Sequence, residues 1–179
     1  MENLYIIIPA YNEEANIAKV AIEWHEIVER IGNGSKLVII NDGSKDSTLQ
    51  ILEKLKEELT HLVVLDKENG GHGDTILYGY KYAIDNQAAY IFQTDSDGQT
   101  LPEEFWKFWE ERKDYHAIID YRKNREDGFS RIVVTKVLKF VLFMIFHLNI
   151  TDANTPFRLI DRDTLKKYYD MIPEHFNLS

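Results

Sequence analysis

The segment Leu4-Tyr5-Ile6-Ile7-Ile8-Pro9-Ala10-Tyr11-Asn12-Glu13-Glu14 decides the fold of this chain. Its first half is a short apolar run typical of a buried strand, and its second half is a polar turn. Apolar side chains then recur at helical spacing from Ile17 to Ile31, and Gly32-Asn33-Gly34 ends the predicted helix, which we expect Asn12 to cap. A buried strand leading directly into an amphipathic helix indicates an α/β protein.

The same alternation continues along the chain. Further strand-like apolar runs lie at Leu37 to Ile40, Leu62 to Leu65, Tyr90 to Gln93 and Ala117 to Asp120. Helices are predicted from Ser47 to Leu59, from Thr75 to Asn86 and directly after Pro102. We therefore predict a single α/β domain with a mainly parallel sheet flanked by helices.

The composition limits the kinds of protein this can be. With 179 residues, of which 44% are hydrophobic, the chain is long enough for one sizeable core. It contains no cysteine, which excludes disulfides and Cys-ligated metals, so any metal must be bound by oxygen or imidazole. A net charge of -9 disfavours nucleic acid as a partner, because phosphate-backbone contacts need a basic surface.

Two features bear on membranes. The first residues carry no basic region, and the apolar run after them is too short for a secretory signal, so we expect a cytoplasmic protein. Within residues 131–150, the longest apolar run, Phe140 to Phe146, is well short of the ~20 residues that a span needs. The first half of a helix predicted here is amphipathic, with Arg131, Thr135 and Lys139 on one face. Residues 131–150 are therefore predicted either to contact the inner face of the cell membrane peripherally or to form an ordinary core helix.

Polar segments follow three of the predicted strands. They are Pro9 to Glu14, Asn41 to Thr48 and Asp95 to Gln99. Because ligands of open α/β sheets bind beyond the carboxyl ends of the strands, we expect these segments to meet at one rim, with Lys45 as their only basic residue. Carboxylates so poorly compensated repel one another. A divalent cation, Mg²⁺ or Mn²⁺, held by oxygen ligands is the expected remedy.

A glycine-rich segment, Asn69-Gly70-Gly71-His72-Gly73, follows the third predicted strand. It lacks the Gly-Lys-Ser/Thr of a phosphate-binding P-loop and the third glycine of the dinucleotide fingerprint. We expect its backbone N–H groups to approach a phosphate or sugar, with a flexible connection into the next helix as the alternative.

Taken together, these segments resemble the family 2 glycosyltransferases of GT-A fold. The resemblance is carried by Pro9-x-Tyr11-Asn12-Glu13-Glu14, Asn41-Asp42-Gly43-Ser44-x-Asp46-x-Thr48, Asn69-x-Gly71 with Gly79 downstream, and Asp95-x-Asp97-Gly98-Gln99. Asp-x-Asp-Gly-Gln and the later Asp152-x-x-x-Pro156-Phe157-Arg158-Leu159 look most like the polyprenyl-phosphate, dolichol-phosphate mannose synthase-like branch. Asn41 departs from the commoner Asp, and Pro156 replaces a frequent Gly.

The resemblance implies a set of site residues. Pro9, Tyr11, Glu13 and Asp42 would line the nucleotide base and ribose, and Asp95, Asp97 and Gln99 would bind the metal. The same nucleotide-sugar site would include Asn12, Ser44, Asn69, Gly71 and Ser96. Residues 1–121 would form the nucleotide-sugar-binding core, and residues 122–179, which we expect to be truncated at the C-terminus, the acceptor side.

The implied activity is inverting transfer from a nucleoside-diphosphate sugar, UDP in preference to GDP, to a polyprenyl phosphate. Arg122 and Arg131, with Arg158 as a further candidate, would clamp the acceptor phosphate. The alternative is transfer to a glycan or protein hydroxyl in cell-wall or surface polysaccharide synthesis, for which Asp152 would act as base. A noncatalytic nucleotide-binding scaffold is a remoter alternative, and a sugar-nucleotide pyrophosphorylase is disfavoured because the N-terminal loop is acidic rather than basic.

Overall fold

The computed structural model describes residues 2–119, 157–169 and 171. The strands are β1 (Leu4–Ala10), β2 (Lys36–Asp42), β3 (Leu62–Lys67), β4 (Tyr90–Gln93), β5 (Ala117–Ile119) and β6 (Arg158–Asp161). The helices are α1 (Ile17–Ile31), α2 (Thr48–Glu58), α3 (His72–Asp85), α4 (Phe105–Glu111) and α5 (Arg162–Tyr169), and a 3-10 turn spans Pro102–Glu104. The strands form one sheet in the order β3-β2-β1-β4-β6-β5.

The first four strands are parallel, as the alternation of strands and helices predicts. β1 lies between β2 and β4, and its last pairing joins Ala10 to Asn41. β6, which the sequence did not predict, runs antiparallel to both β4 and β5, so the sheet is mixed. Its four residues, Arg-Leu-Ile-Asp, are too few and too polar to be recognised from an apolar run.

Two helices begin at other residues than the sequence indicates. α1 begins at Ile17 with Asn16 at the N-cap position, because Asn12 adopts a left-handed conformation with φ 57° outside the helix. α3 begins at His72 rather than Thr75, so the end of the glycine-rich segment already forms its first turn. The predicted end of α1 before Gly32 and the extent of α2 are confirmed to within a residue.

The core consists of one apolar layer on each face of the sheet. β1 is buried along its whole length, and its alternate residues point into the two layers. Trp24 of α1 packs on Phe92 of β4 at a ring separation of 5.5 Å, and Phe157 packs on Phe92 at 4.7 Å. Phe157 is 1% exposed, so the Phe of the Phe-Arg-Leu motif belongs to the core.

Several predictions concern residues outside the described ones. These are the acceptor-side residues Arg122, Arg131 and Asp152, together with the helix predicted within 131–150. In the part of the chain that the structure describes, no helix combines the length and apolar character required to cross a bilayer.

Gly79 has no side chain, and this lets α3 lie directly against the sheet. A Cβ at this position would lie 2.5 Å from Ile7 Cγ2 and 2.9 Å from Ile40 Cδ1. We expect Gly79→Ala to lower the free energy of unfolding by about 1–3 kcal/mol, because buried β1 and β2 side chains must shift. Urea denaturation measures the change. Lys54→Ala, on the exposed face of α2, serves as the control and should stay within about 0.5 kcal/mol of wild type. Equal stability of the two variants would contradict this packing.

Candidate functional site

One cavity of about 410 Å³ opens beyond the carboxyl ends of β1, β2 and β4. Its walls come from the segment after β1, the end of β2, the turn that enters α3 and the segment after β4. The lining residues are Pro9, Ala10, Tyr11, Glu13, Asp42, Asn69, Gly71, His72, Thr75, Asp95, Ser96 and Asp97. Residues that are far apart in the sequence thus meet at the rim where the strand-end argument predicts them.

Asn12, Ser44 and Gln99 do not line this cavity. Asn12 and Ser44 instead join the segment after β1 to the segment after β2. The Asn12 N–H donates to Ser44 Oγ at 3.0 Å, the Asn12 side-chain oxygen accepts from the Lys45 N–H at 2.8 Å, and the Glu13 N–H donates to Thr48 Oγ1 at 2.8 Å. We call residues 12–14 and 44–48 the paired loops, and their hydrogen bonds hold one wall of the cavity.

The floor of the cavity contains a buried carboxylate, Asp42, which is 3% exposed. Its oxygens accept from Lys67 Nζ at 2.8 Å, from the Gly70 N–H at 2.9 Å and from the Gly71 N–H at 3.0 Å. Although burial opposes the shift, the donors Lys67, Gly70 and Thr75 hold the pKa of Asp42 below its ordinary value. The N–H groups of Gly70 and Gly71, which we expected to approach a phosphate or sugar, therefore bind this carboxylate.

Lys67 is a residue that the sequence analysis missed. Its Nζ lies 2.9 Å from Asp74 Oδ2 as well as 2.8 Å from Asp42 Oδ1, so one ammonium compensates two carboxylates. Burial lowers the pKa of Lys67, but the two carboxylates outweigh it and raise that pKa above its ordinary value. The negative charge of the rim is thus balanced by Lys67 as well as by Lys45. Applying the strand-end argument to β3, which ends at Lys67, would have placed this residue at the rim, although not its contact with Asp42.

Asn41, the departure from the commoner Asp, has a partner on the neighbouring strand. Its side-chain amide donates to Asp66 Oδ1 at 2.7 Å, and Asn41 is 1% exposed. A carboxylate at position 41 would face the carboxylate of Asp66 at this distance. The amide at position 41 is therefore what the local electrostatics of β2 and β3 require.

The Asp95-Ser96-Asp97 segment reaches the cavity from β4. The Asp97 carboxylate is exposed and accepts the Gln99 N–H at 2.9 Å, which orients it, while the Gln99 side chain points to solvent. Asp95 Oδ1 lies 3.9 Å from His72 Nε2, and its side chain is 31% exposed. His72, at the first turn of α3, lines the cavity but was not among the predicted site residues, and the same holds for Ala10 and Thr75.

The two aspartates suit a divalent cation in chemistry and position. Within the described ranges, no three His, Cys, Asp or Glu side chains form a ready-made metal site. Mg²⁺ commonly binds to one or two carboxylates and completes its coordination with water and substrate phosphates. Asp95 and Asp97, both facing a cavity large enough for a ligand, fit that mode of binding.

Arg158 lies on β6, beside the end of β4. It pairs in register with Gln93, whose side-chain oxygen accepts a hydrogen bond from the Tyr80 hydroxyl. Burial raises the pKa of Tyr80 to about 12, although the charge and the hydrogen bond of Arg158 oppose this. Asp161, at the other end of β6, is bound by His116 Nδ1 at 2.8 Å and by the Thr164 N–H at 2.8 Å.

Comparison with known families decides the class of protein. The family model described as glycosyl transferase family 2 matches residues 5–169. This range contains all of β2 to β6 and all of β1 after Leu4. The chain belongs to glycosyl transferase family 2. It is therefore a glycosyltransferase, as the sequence motifs indicate.

Curated relatives of this family 2 glycosyltransferase agree with the polyprenyl-phosphate branch. The UDP-N-acetylglucosamine–dolichyl-phosphate N-acetylglucosaminyltransferase of Methanococcus voltae is 27% identical, over 91% of this chain and 71% of the relative. The undecaprenyl-phosphate 4-deoxy-4-formamido-L-arabinose transferase of Pectobacterium atrosepticum is 26% identical, over 79% of this chain and 43% of the relative. The predicted resemblance to this branch is confirmed.

Solved structures confirm the GT-A fold. S. aureus TarS superposes with a TM-score of 0.63 and 21% identity, over 96% of this chain and 50% of TarS. Glucosyl-3-phosphoglycerate synthase from Mycobacterium tuberculosis, in complex with Mn²⁺, UDP-glucose and phosphoglyceric acid, gives a TM-score of 0.67 at 14% identity, over 92% of this chain and 58% of that one. The family 2 chain thus spans about half of the length of these neighbours.

The hydrogen bond from Asn41 to Asp66 can be tested by substitution. We expect Asn41→Asp to lower the free energy of unfolding at pH 7 by roughly 1–3 kcal/mol, because it replaces a hydrogen bond with two opposed carboxylates. Denaturant unfolding measures this. The Asn41→Asp/Asp66→Asn double variant, in which donor and acceptor exchange strands, should recover most of the loss. A single variant as stable as the double variant would show that the contact has no such role.

Proposed function

We propose that this glycosyltransferase moves a sugar, with inversion at the anomeric carbon, from a nucleoside-diphosphate sugar to a polyprenyl phosphate. The observation that carries the proposal is the cavity itself. Asp95 and Asp97 face it from β4, across from the segment after β1 and the neutralised Asp42 floor. Two carboxylates opposite polar strand ends suit a metal-bound diphosphate at the carboxyl edge of the sheet.

The named relatives support the substrate classes. The Methanococcus voltae relative is named for UDP-N-acetylglucosamine and dolichyl phosphate, and the Pectobacterium relative is named for undecaprenyl phosphate and 4-deoxy-4-formamido-L-arabinose. Both lipids are polyprenyl phosphates. We therefore assign the donor to UDP in preference to GDP, and the acceptor to a polyprenyl phosphate in preference to a glycan or protein hydroxyl.

On the donor side, Tyr11 and Pro9 would provide apolar surface for the base, and Glu13 and Asp42 would face the ribose. Tyr11 is 44% exposed at the cavity mouth, which leaves its ring accessible for stacking. Asn69, Gly71 and Ser96 would border the sugar and the diphosphate. Asn12 and Ser44 would contribute by holding the paired loops rather than by touching the donor.

Asp95 and Asp97 would hold Mg²⁺ or Mn²⁺. Gln99 lies outside the cavity lining, so its side chain would have to turn towards the cation to serve as a third oxygen ligand. When bound, such a cation would supply positive charge that offsets the charge of the departing nucleoside diphosphate. The protein's own part is to keep the two carboxylates in place before the donor arrives, and the hydrogen bond from the Gln99 N–H to Asp97 serves that purpose.

On the acceptor side, a lipid monophosphate needs positioning rather than deprotonation, since its second pKa of about 6 makes it an anion at neutral pH. We assign that positioning to Arg122 and Arg131, within an acceptor-side segment 122–179. Residues 131–150 would rest on the inner face of the cell membrane, where such a lipid is embedded. A hydroxyl acceptor would require a base, and Asp152 is the residue we assign to that case.

The role of Asp97 can be separated from folding. We expect Asp97→Ala to reduce turnover on the order of a hundredfold or more, because a carboxylate facing the diphosphate is lost. Its unfolding free energy should change by no more than about 0.5 kcal/mol, since Asp97 is exposed. Glu57→Ala removes an exposed carboxylate from α2 and provides the control. Full activity in purified Asp97→Ala protein would refute the assignment.

The donor class can be tested by thermal melting with UDP, GDP and dTDP, each with and without Mn²⁺. We expect UDP with Mn²⁺ to raise the melting temperature most, because a ligand that binds only the folded state stabilises it. UDP without Mn²⁺ should give a smaller shift, and Asp97→Ala should abolish the difference. If none of the three nucleotides raises the melting temperature more with Mn²⁺ than without it, binding of a metal-bound nucleotide is refuted.

A transfer assay with polyprenyl phosphate and with glycan hydroxyls then distinguishes the two acceptor classes.

A further inference from the structure

The Asp42 carboxylate connects the end of β2 to the turn that enters α3. Lys67 binds it from β3, while the Gly70 and Gly71 N–H groups bind it from the turn. The side-chain amide of Asn69 also donates to the Asp42 carbonyl oxygen at 2.9 Å. The turn 69–71 is therefore attached to the sheet through one residue.

The contact leaves little room for added side-chain atoms. A Cβ on Gly70 would collide with Asp74 Oδ2 and would lie 2.8 Å from Lys67 Nζ. A Cβ on Gly43 would lie 2.8 Å from the Asn69 backbone nitrogen, and Gly43 has a φ of +66° that favours glycine. Glycines at both positions let the turn approach the ammonium and the end of β2.

Lys67 itself does not line the cavity, whereas Asp42, Asn69 and Gly71 do. We propose that Lys67 is a positioning residue for the donor: by neutralising Asp42 it fixes the turn 69–71 as a wall of the nucleotide site. The inference rests on the proposed function of the cavity. It adds a residue from β3, outside the motifs that carry the family resemblance.

The electrostatics explain why the ammonium is needed. Asp42 is 3% exposed, and the side chain of Lys67 is 15% exposed, so solvent does little to screen the pair. Without Lys67, a buried carboxylate would keep only neutral donors and would have Asp74 close by. The carboxylate and the turn that binds it would then move towards water and out of the cavity wall.

Lys67→Met tests the proposal, since methionine keeps the length of the side chain and removes the charge. The matched control is Lys81→Met, which removes an exposed lysine 2.8 Å from Asp85 on α3. Asp74→Asn removes only the charge of the outer, half-exposed partner of Lys67. Val28→Ala destabilises the core at the far end of α1 and controls for a loss of stability alone.

Two measurements on the whole chain give separate results. Calorimetric titration with UDP in the presence of Mn²⁺ should show affinity reduced at least about tenfold in Lys67→Met, because a misplaced wall costs binding and alignment. Lys81→Met, Asp74→Asn and Val28→Ala should stay within about threefold of wild type. Lys67→Arg, which keeps the charge, should recover part of the affinity. Amide hydrogen exchange without nucleotide should accelerate at Gly70 and Gly71 in Lys67→Met and be unchanged there in Lys81→Met.

An affinity in Lys67→Met equal to that of Val28→Ala would overturn the proposal, and so would unchanged exchange at Gly70 and Gly71. If wild-type protein binds none of UDP, GDP and dTDP, the proposed function fails, and the exchange measurement alone decides whether Lys67 fixes the turn. If another of these nucleotides binds best, the titration is made with that nucleotide and the same criteria apply.

Discussion

The parallel pairing of β1 with β2 on one side and with β4 on the other is the constraint on which the site depends. β1 is buried along all 7 residues, with alternate side chains in the two core layers. A shift of one residue would exchange the side chains between layers that are already filled, so the register is fixed. Because parallel strands end at the same edge, the fixed register also determines which polar residues meet beyond Ala10, Asp42 and Gln93.

The sequence predicted the elements whose burial leaves a strong pattern and missed those that depend on tertiary contacts. β1 to β4 are apolar runs because both of their faces are covered. β6 reads Arg-Leu-Ile-Asp, and it is a strand because β4 and β5 pair with it from both sides. The start of α3 at His72-Gly73 was missed because glycine disfavours helix interiors, although a first turn tolerates it.

Much of the candidate site was likewise predictable, since strand ends reveal which segments meet. The partners within the site were not. Lys67 and Asp42 are 25 residues apart, and their contact follows from the pairing of β2 with β3, which no local pattern encodes. The same holds for Asn41 and Asp66. Asn12 and Ser44 belong to motifs that suggest ligand binding, yet their hydrogen bonds go to each other, so motif membership did not separate contact residues from supporting ones.

The paired loops have a consequence for protein engineering. Each of the two loops satisfies hydrogen-bonding groups of the other. The Glu14 carboxylate accepts from the Ser47 N–H, and the Glu14 N–H donates to the Asp46 carboxylate. Transplanting residues 12–14 from another glycosyltransferase would bring donors and acceptors that have no counterpart in residues 44–48. Chimeras meant to exchange nucleotide preference should therefore carry both segments together, as one inherited unit, even though more than 30 residues separate them in the chain.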